Sequence, residues 1–469
     1  MLAPTFLGWM LCLVAHGTPV PQPPASRVWI VDASGGGDFT DLPAALQAVS
    51  FGDMIQIEAG TYAGGLIPHA ITLRGRGAAT RIEGALRASG LNEPGTLIIA
   101  SLTLARVWPV PGGATVPGCT TGGAVSTYPH GGLRFDSCTT PIHVHDVRAE
   151  GFQPGQHRTK AGGPSLIARR CDSLMLVQST FRCLGATGLE VSALSCPSQA
   201  RLPLAEVDAA VIEFSHAVID RCTFEGAPGY GSWGWCNTIF IPPTQGSTPG
   251  LRGGDALILK SSRVVLNASL LQGGRGANNH YTLCCTWCRS PCEDPTPGGH
   301  GVRLQDLQGC DLAVFATAST GGVGGDNVDL YGCMTSLRHA ADGSTLLGTP
   351  RSLRIENYGL PVVDKIGALR TGSPFQLSVD AWGAGPVAVY LGTRWFYVRT
   401  PSTAGGTLLD PTTGVSFLLG VTHARGSLTV ALERDPSLLG LQLFFQPIQW
   451  DARSGLMRLG AVVGDAVSG

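Results

Sequence analysis

The chain has 469 residues, 43% hydrophobic and 14% charged, with 32 basic against 33 acidic side chains and a formal net charge of −1. That apolar content excludes a disordered chain, and the balanced totals create no overall field for nucleic acid to follow. With 65 Gly, 32 Pro and 14 Cys, and roughly 150 residues per domain, two or three turn-rich domains are expected.

Residues 1–17 read as a signal peptide: Phe6 to Ala15 (FLGWMLCLVA) is an apolar run too short for a mature span, and Ala15-His16-Gly17 offers a small-x-small cleavage pattern. Its n-region carries no Lys or Arg. Residues 18–27 follow as a Pro-rich linker (Thr18 to Pro24, TPVPQPP). No later stretch holds 18 uninterrupted apolar residues, so the mature chain is expected to have no membrane span and to be extracellular or on the cell surface. Export would leave 13 cysteines after Cys12 is removed, a number that suggests disulfides with at least one thiol left over.

From Val28 the text gives a strand, a Gly-rich turn, a short helix from Leu42 to Val49 with Asp41 as its N-cap, and another strand. One strand pattern then recurs six times. Its first inward residues are Leu133, Leu166, Ile212, Leu257, Val302 and Val328, at spacings of 33, 46, 45, 45 and 26. Two places on stand Phe135, Ala168, Phe214, Leu259, Leu304 and Leu330, which keeps the same face apolar. A second register agrees: Leu176, Ile219 and Leu266 each precede Phe181, Phe224 and Leu271 by five, with Ser179, Cys222 and Ser269 between. Like residues at like positions are what stacked parallel coils produce, and such coils bury their faces only by stacking. A βαβ sheet would need 10–15-residue amphipathic helices between strands, which the text lacks. The reading is all-β: a parallel β-helix over residues 28–357 with the Asp41–Val49 helix as its N-terminal cap.

The opening VDASGGGDFTDLPAALQAVSFGDMIQIEAGTYAGGLIPHAITLRGRG resembles the start of right-handed parallel β-helix proteins of the pectin-lyase-like superfamily. The pectin-esterase branch begins similarly, with Gly-Asp-Phe-Thr, a short helix and a strand ending in Gly60-Thr61-Tyr62, and the resemblance covers about residues 28–350. It implies a right-handed coil and contact with polysaccharide. The family's catalytic signatures do not accompany it. The paired-aspartate motifs of pectin esterases are missing, and Gly299-His300-Gly301 matches a polygalacturonase motif without its Asp-Asp and Asn-Thr-Asp companions. No aspartate cluster at calcium-ligand spacing stands out.

Strand alternation puts Arg134, Ile167, Glu213, Ile258, Arg303 and Asp329 in one outward column and Asp136, Arg169, Ser215, Lys260, Gln305 and Tyr331 in the next. Neighbours one rung apart can form ion pairs such as Asp136–Arg169, so a self-neutralising face is one reading. The other is a groove floor for an acidic sugar, in which Arg169, Lys260 or Arg303 would serve a lyase as base, with Ca²⁺ only in that case. A hydrolase would need two carboxylates roughly 5–9.5 Å apart, with Asp306 and Asp329 as candidates. Long loops leave after the coils starting at Ile212 and Leu257 and are expected to form one wall, carrying Tyr230, Trp233, Trp235, His280 and Tyr281 as sugar-stacking or hydrogen-bonding groups.

The Cys284–Cys292 cluster contains Cys285-x-x-Cys288 beside His280 and His300, which reads as a disulfide-stapled loop before a zinc site. Cys119 and Cys138 suggest another staple, and His143 and His145 read as surface histidines. Residues 358–469 change character, to short alternating strands split by Gly/Pro turns, which indicate a β-sandwich. From about residue 372 they resemble a small module found at the C-terminus of secreted bacterial proteins. The functional expectation is a secreted, monomeric β-helix protein that binds uronate-containing polysaccharide, with no cofactor and no nucleic-acid partner. A polysaccharide lyase or glycoside hydrolase and a non-catalytic structural or adhesion protein are the alternatives.

Overall fold

A computed structural model of the chain describes residues 27–105, 132–152, 163–184, 208–229, 252–276, 279–281, 296–305, 309–324, 327–329, 344–347, 350–357, 359–381, 385–397, 403–404, 407–409, 415–422, 425–451 and 455–468. The expected signal peptide and nearly all of the linker lie outside them.

The protein is all-β, and its larger part consists of long parallel sheets. One sheet of 16 strands has a main path that begins at Val28–Val31, Met54–Ile57, Thr72–Arg74, Leu97–Ala105 and Ile142–Phe152. It continues through Leu174–Val177, His216–Asp220, Arg263–Asn267 and Asp311–Phe315 to Ser352–Glu356. A second sheet of eight strands runs Leu66–Ile67, Ala85–Ser89, Gly132–Asp136, Leu166–Arg169, Ala210–Glu213, Leu257–Lys260, Val302–Gln305 and Leu346–Leu347. The chain visits the two in turn, so each strand lies in register on its predecessor from the previous coil.

Inward residues meet in rows. Leu133, Leu166, Ala210, Leu257 and Val302 form one, and Phe135, Ala168, Ile212, Leu259 and Leu304 another. Opposite them stand Leu176, Ile219 and Leu266, then Phe181, Phe224 and Leu271. Phe181 and Phe224 stack with ring centroids 5.2 Å apart. These side chains are buried in one continuous core, and burial of each large one stabilises the fold by roughly 1.5–3 kcal/mol.

Two of the expected rows shift. Leu166 pairs with Ala210 rather than Ile212, which carries Phe214 past the end of its strand into a turn, where it is 50% exposed. Val302 pairs with Leu346, whereas Val328 lies opposite His280 in a separate two-stranded sheet formed by Asn279–Tyr281 and Asn327–Asp329. The sixth coil therefore begins 44 residues after Val302, a spacing close to that of the coils before it.

The corners are made by single residues in the left-handed region. Gly90, Ser137, Arg170, Phe214 and Ser261 (φ +69°, +54°, +51°, +50° and +45°) follow successive strands of the second sheet, and Gln178, Arg221, Ala268 and Ala316 do the same in the first. Small side chains brace these corners across rungs: Ser215 Oγ accepts the N–H of Cys171 at 3.0 Å, and Ser269 Oγ that of Cys222 at 3.1 Å.

A third seam uses glycine. Gly254 donates to Ala227 O, Gly274 to Gly254 O, Gly299 to Gly274 O and Gly322 to Gly299 O, each at 2.8 Å. Segments leaving the first sheet and segments entering the second thus alternate in one hydrogen-bonded stack. A Cβ on Gly274 would fall 1.8 Å from Ala227 O, so only glycine fits there.

At the N-terminal end a helix spans Leu42–Ala48, with the Asp41 side chain accepting Ala44 N–H at 2.8 Å and Val49 at its C-cap. Its Leu42, Ala45 and Leu46 join the core.

Beyond Ser352–Glu356 pairing turns antiparallel. Val362–Ile366, Pro374–Asp380 and Arg425–Ala431 form one sheet, and Gly385–Gly392, Val415–Thr422, Gln442–Asp451 and Val463–Ala466 are members of another. These strands pack on the outer face of the 16-stranded sheet. Ile98, Ala100, Met175, Val177, Val218, Val265 and Phe315 share a core with Leu360, Val363, Phe444, Phe445 and Val462. Polar contacts span the same junction: Asn267 Oδ1 accepts Leu360 N–H at 2.8 Å, Arg221 pairs with Asp364, and Arg74 with Asp465 at 3.1 Å. His143, expected at the surface, is fully buried here, its Nε2 3.1 Å from Val462 O. His145 is half-buried and meets Gln178 Oε1 at 2.8 Å.

Candidate functional site

With the C-terminal strands on the first sheet, the second sheet supplies the outer face they leave uncovered. Its columns follow from the corrected register. One reads Leu66, Arg87, Arg134, Ile167, Val211, Ile258, Arg303 and Leu347. The next reads Ser89, Asp136, Arg169, Glu213, Lys260 and Gln305, alternating in sign through its four charged members. Arg169 Nε lies 2.9 Å from Glu213 Oε2, so its ion pair runs to the rung after it and not to Asp136. Ser215 leaves this column for the corner brace. Lys260 Nζ stands 5.8 Å from the centroid of the exposed Phe214 ring.

A further column forms where the chain re-enters each strand of this sheet. Asp208, Asp255, His300 and Ser344 occupy equivalent places, and each backbone N–H donates to the side chain before it. Asp255 N–H reaches Asp208 Oδ1 at 2.8 Å, His300 N–H reaches Asp255 Oδ1 at 2.7 Å, and Ser344 N–H reaches His300 Nδ1 at 3.0 Å. Accepting that bond leaves the neutral His300 ring protonated at Nε2. Arg252 and Arg303 close on Asp255 Oδ2 at 2.9 and 3.4 Å. Asp255 is fully buried with both oxygens occupied. It acts as the anion that holds two guanidinium groups and the incoming backbone, and both of its oxygens are already committed to that work.

The sequence candidates thus separate. Arg169, Lys260 and Arg303 stand on one face, two of them held by carboxylates. Tyr230, Trp233, Trp235, Asp306, Tyr331 and the Cys284–Cys292 cluster lie outside the described residues. Backbone pairing places His280 opposite Val328 and Tyr281 opposite Asp329. Of the described cysteines, Cys138, Cys171, Cys183 and Cys222 are free thiols, and these and Cys310 are buried in the coil, while Cys119 is outside the described residues. Burial pushes the Cys222 thiol up to about 12, while a hydrogen bond with Cys171 on the next rung lowers the pKa of Cys138. Among the described residues no three His, Cys, Asp or Glu side chains gather where they could hold a metal ion. None of the described helices is long and apolar enough to cross a membrane.

Sequence reading missed Asp208, Asp255 and Arg252. The signal was present: Asp208-Ala209-Ala210, Asp255-Ala256-Leu257 and His300-Gly301-Val302 each put a polar residue and then a small one before the first inward strand residue. No protein-family model matches this chain, and searches of curated proteins and of solved structures likewise find no match.

Proposed function

We propose that the chain is a right-handed parallel β-helix of the pectin-lyase-like kind, capped by the Leu42–Ala48 helix, with a C-terminal β-sandwich. We propose further that it is exported and binds polysaccharide along the outer face of its second sheet. One observation carries the binding reading. The C-terminal strands cover the first sheet, and the outer face of the second carries Arg87, Arg134, Arg169, Lys260 and Arg303 on five of six successive rungs. On rungs spaced about 4.8 Å apart these cations occupy two adjacent columns, Arg87, Arg134 and Arg303 in one and Arg169 and Lys260 in the other, which suits a polymer bearing several acidic groups, a uronate-containing glycan above all.

An enzymatic reading draws on the Asp208–Asp255–His300 column. As a hydrolase it meets the saturation of Asp255. As a lyase it would use Lys260, the candidate base that pairs with no carboxylate among the described residues, to take the proton α to a uronate carboxyl.

The test incubates the full chain with polyuronates and neutral glycans, with and without Ca²⁺, and follows binding, unsaturated ends and new reducing ends. Binding without new ends supports the proposal. Unsaturated ends would make the protein a lyase and reducing ends alone a hydrolase, while absence of any binding would refute the polysaccharide reading and leave an adhesion or scaffold role.

A further inference from the structure

Many of the described arginines are matched by carboxylates. Arg169 meets Glu213, Arg252 and Arg303 share Asp255, Arg182 meets Glu150, and Arg458 meets Asp451 and Glu356. Arg87 and Arg134 differ. They are direct partners on adjacent rungs, about 4.8 Å apart at the backbone, and no carboxylate among the described residues pairs with either. The buried Nε of Arg134 has no hydrogen-bond partner. The closest acid along the strand, Asp136, lies in the neighbouring column, 3.2 Å from the Ser137 hydroxyl.

This arrangement costs the folded chain something. Burial, together with the like charges of Arg87 and Arg169, lowers the pKa of the Arg134 guanidinium. Two guanidinium groups on adjacent rungs can reach one planar oxyanion, which satisfies such a pair with charge-assisted bonds. The apolar Leu66, 62% exposed, and Ile167 bracket the pair along the column. Their surfaces suit the carbon skeleton that carries the anion.

We infer that Arg87 and Arg134 form a subsite for an oxyanion borne on a glycan, either a uronate carboxylate or a sulfate ester. The inference rests on the polysaccharide reading and adds to it the charge the ligand must carry and the residues that receive it. Among the described residues neither guanidinium has a carboxylate counter-ion, and the ligand supplies one.

Titration calorimetry on the full chain with polygalacturonate, dextran sulfate and neutral dextran tests it, using Arg134→Gln, Arg87→Gln and Arg351→Gln, the last removing an equal charge elsewhere. The expected result is binding of at least one polyanion, weakened roughly tenfold or more by either of the first two substitutions and unchanged by the third. The polyanion that binds more tightly identifies the oxyanion. Arg134→Gln should melt at the wild-type temperature or above it, because the substitution removes an unmatched charge. Polyanion binding unchanged in Arg134→Gln would overturn the subsite, and so would a melting temperature lowered by several degrees, which would mark the guanidinium as structural. Binding to dextran alone would overturn the subsite while leaving the polysaccharide reading intact. Failure to bind all three would remove both.

Discussion

Acid should loosen the junction between the C-terminal strands and the parallel sheets, and His143 is the reason. Its ring is fully enclosed, edge-on to Phe444 at 5.9 Å and stacked on His145 at 6.2 Å. Nε2 donates to Val462 O at 3.1 Å, whereas the buried Nδ1 has no partner. Protonation would place an N–H with nothing to bond inside an apolar interface, and burial accordingly lowers the pKa from 6.5 to about 3, with His145 adding repulsion. Below pH 6.5 the unfolded chain takes up a proton that the folded chain refuses, so stability falls as pH falls. The loss is about 1.4 kcal/mol per pH unit, about 3 kcal/mol by pH 4.5 and about 5 kcal/mol by pH 3. His143→Leu removes that slope but leaves Val462 O unpaired, at a cost of about 1–3 kcal/mol near neutrality. Urea denaturation followed by tryptophan fluorescence, which includes the buried Trp395, should therefore show the variant less stable at pH 7 and the two curves of stability against pH converging or crossing between pH 6 and 4. Wild-type and variant curves that stay parallel across that range would refute the argument.

Two further predictions concern the coil. Gly274→Ala drives a Cβ to 1.8 Å from a backbone oxygen, so it should cost about 3 kcal/mol or more, whereas Gly90→Ala meets no atom within 4 Å at φ +69° and should cost only about 1–2 kcal/mol of left-handed strain. Equal losses in chemical denaturation would contradict the glycine seam. The second concerns the thiols of Cys138, Cys171, Cys183, Cys222 and Cys310, buried in the coil, which should resist alkylation in the native chain and react in denaturant. Peptide mapping that finds Cys138 or Cys222 labelled under native conditions would show that the coil opens.

How much of this was legible in the sequence depends on what a period of two can distinguish. A one-residue slip sends every side chain to the opposite face, and the apolar pattern forbids it. A two-residue slip keeps the face and passes unnoticed. That is why Ile212 reads as the partner of Leu166 although Ala210 holds the place. The Phe181–Phe224–Leu271 register had bulky residues at every rung and came through intact. The corner residues carry the missing information. Cys138, Cys171, Ser215 and Ser262 each sit two places after the last strand residue, and a small side chain is required there to accept an N–H from the neighbouring rung. Aligning the coils on those small residues moves Glu213 out of Arg134's column and into Arg169's, where it forms an ion pair.

The same shift changes the reading of the outer face. In the slipped register Glu213 stood in Arg134's own column and gave its cations an acid to share. In the true register the alternating charges gather in one column, and Arg134 is left with Arg87 on one side and Ile167 on the other. The docking of the C-terminal strands was illegible for a different reason. Met175, Val177, Val218 and Val265 are outward residues of the first sheet, and their apolar character extends strands that are already hydrophobic on the inward side. A strand buried on both faces reads as one continuous apolar run, as Leu174-Met175-Leu176-Val177 does. That run says something covers the sheet without saying what. The second sheet is mixed: Leu257-Ile258-Leu259 is another buried apolar run, whereas its other strands interleave charged and apolar residues, and among these the Arg87–Arg134 pair is the feature that the coil's own packing leaves unexplained.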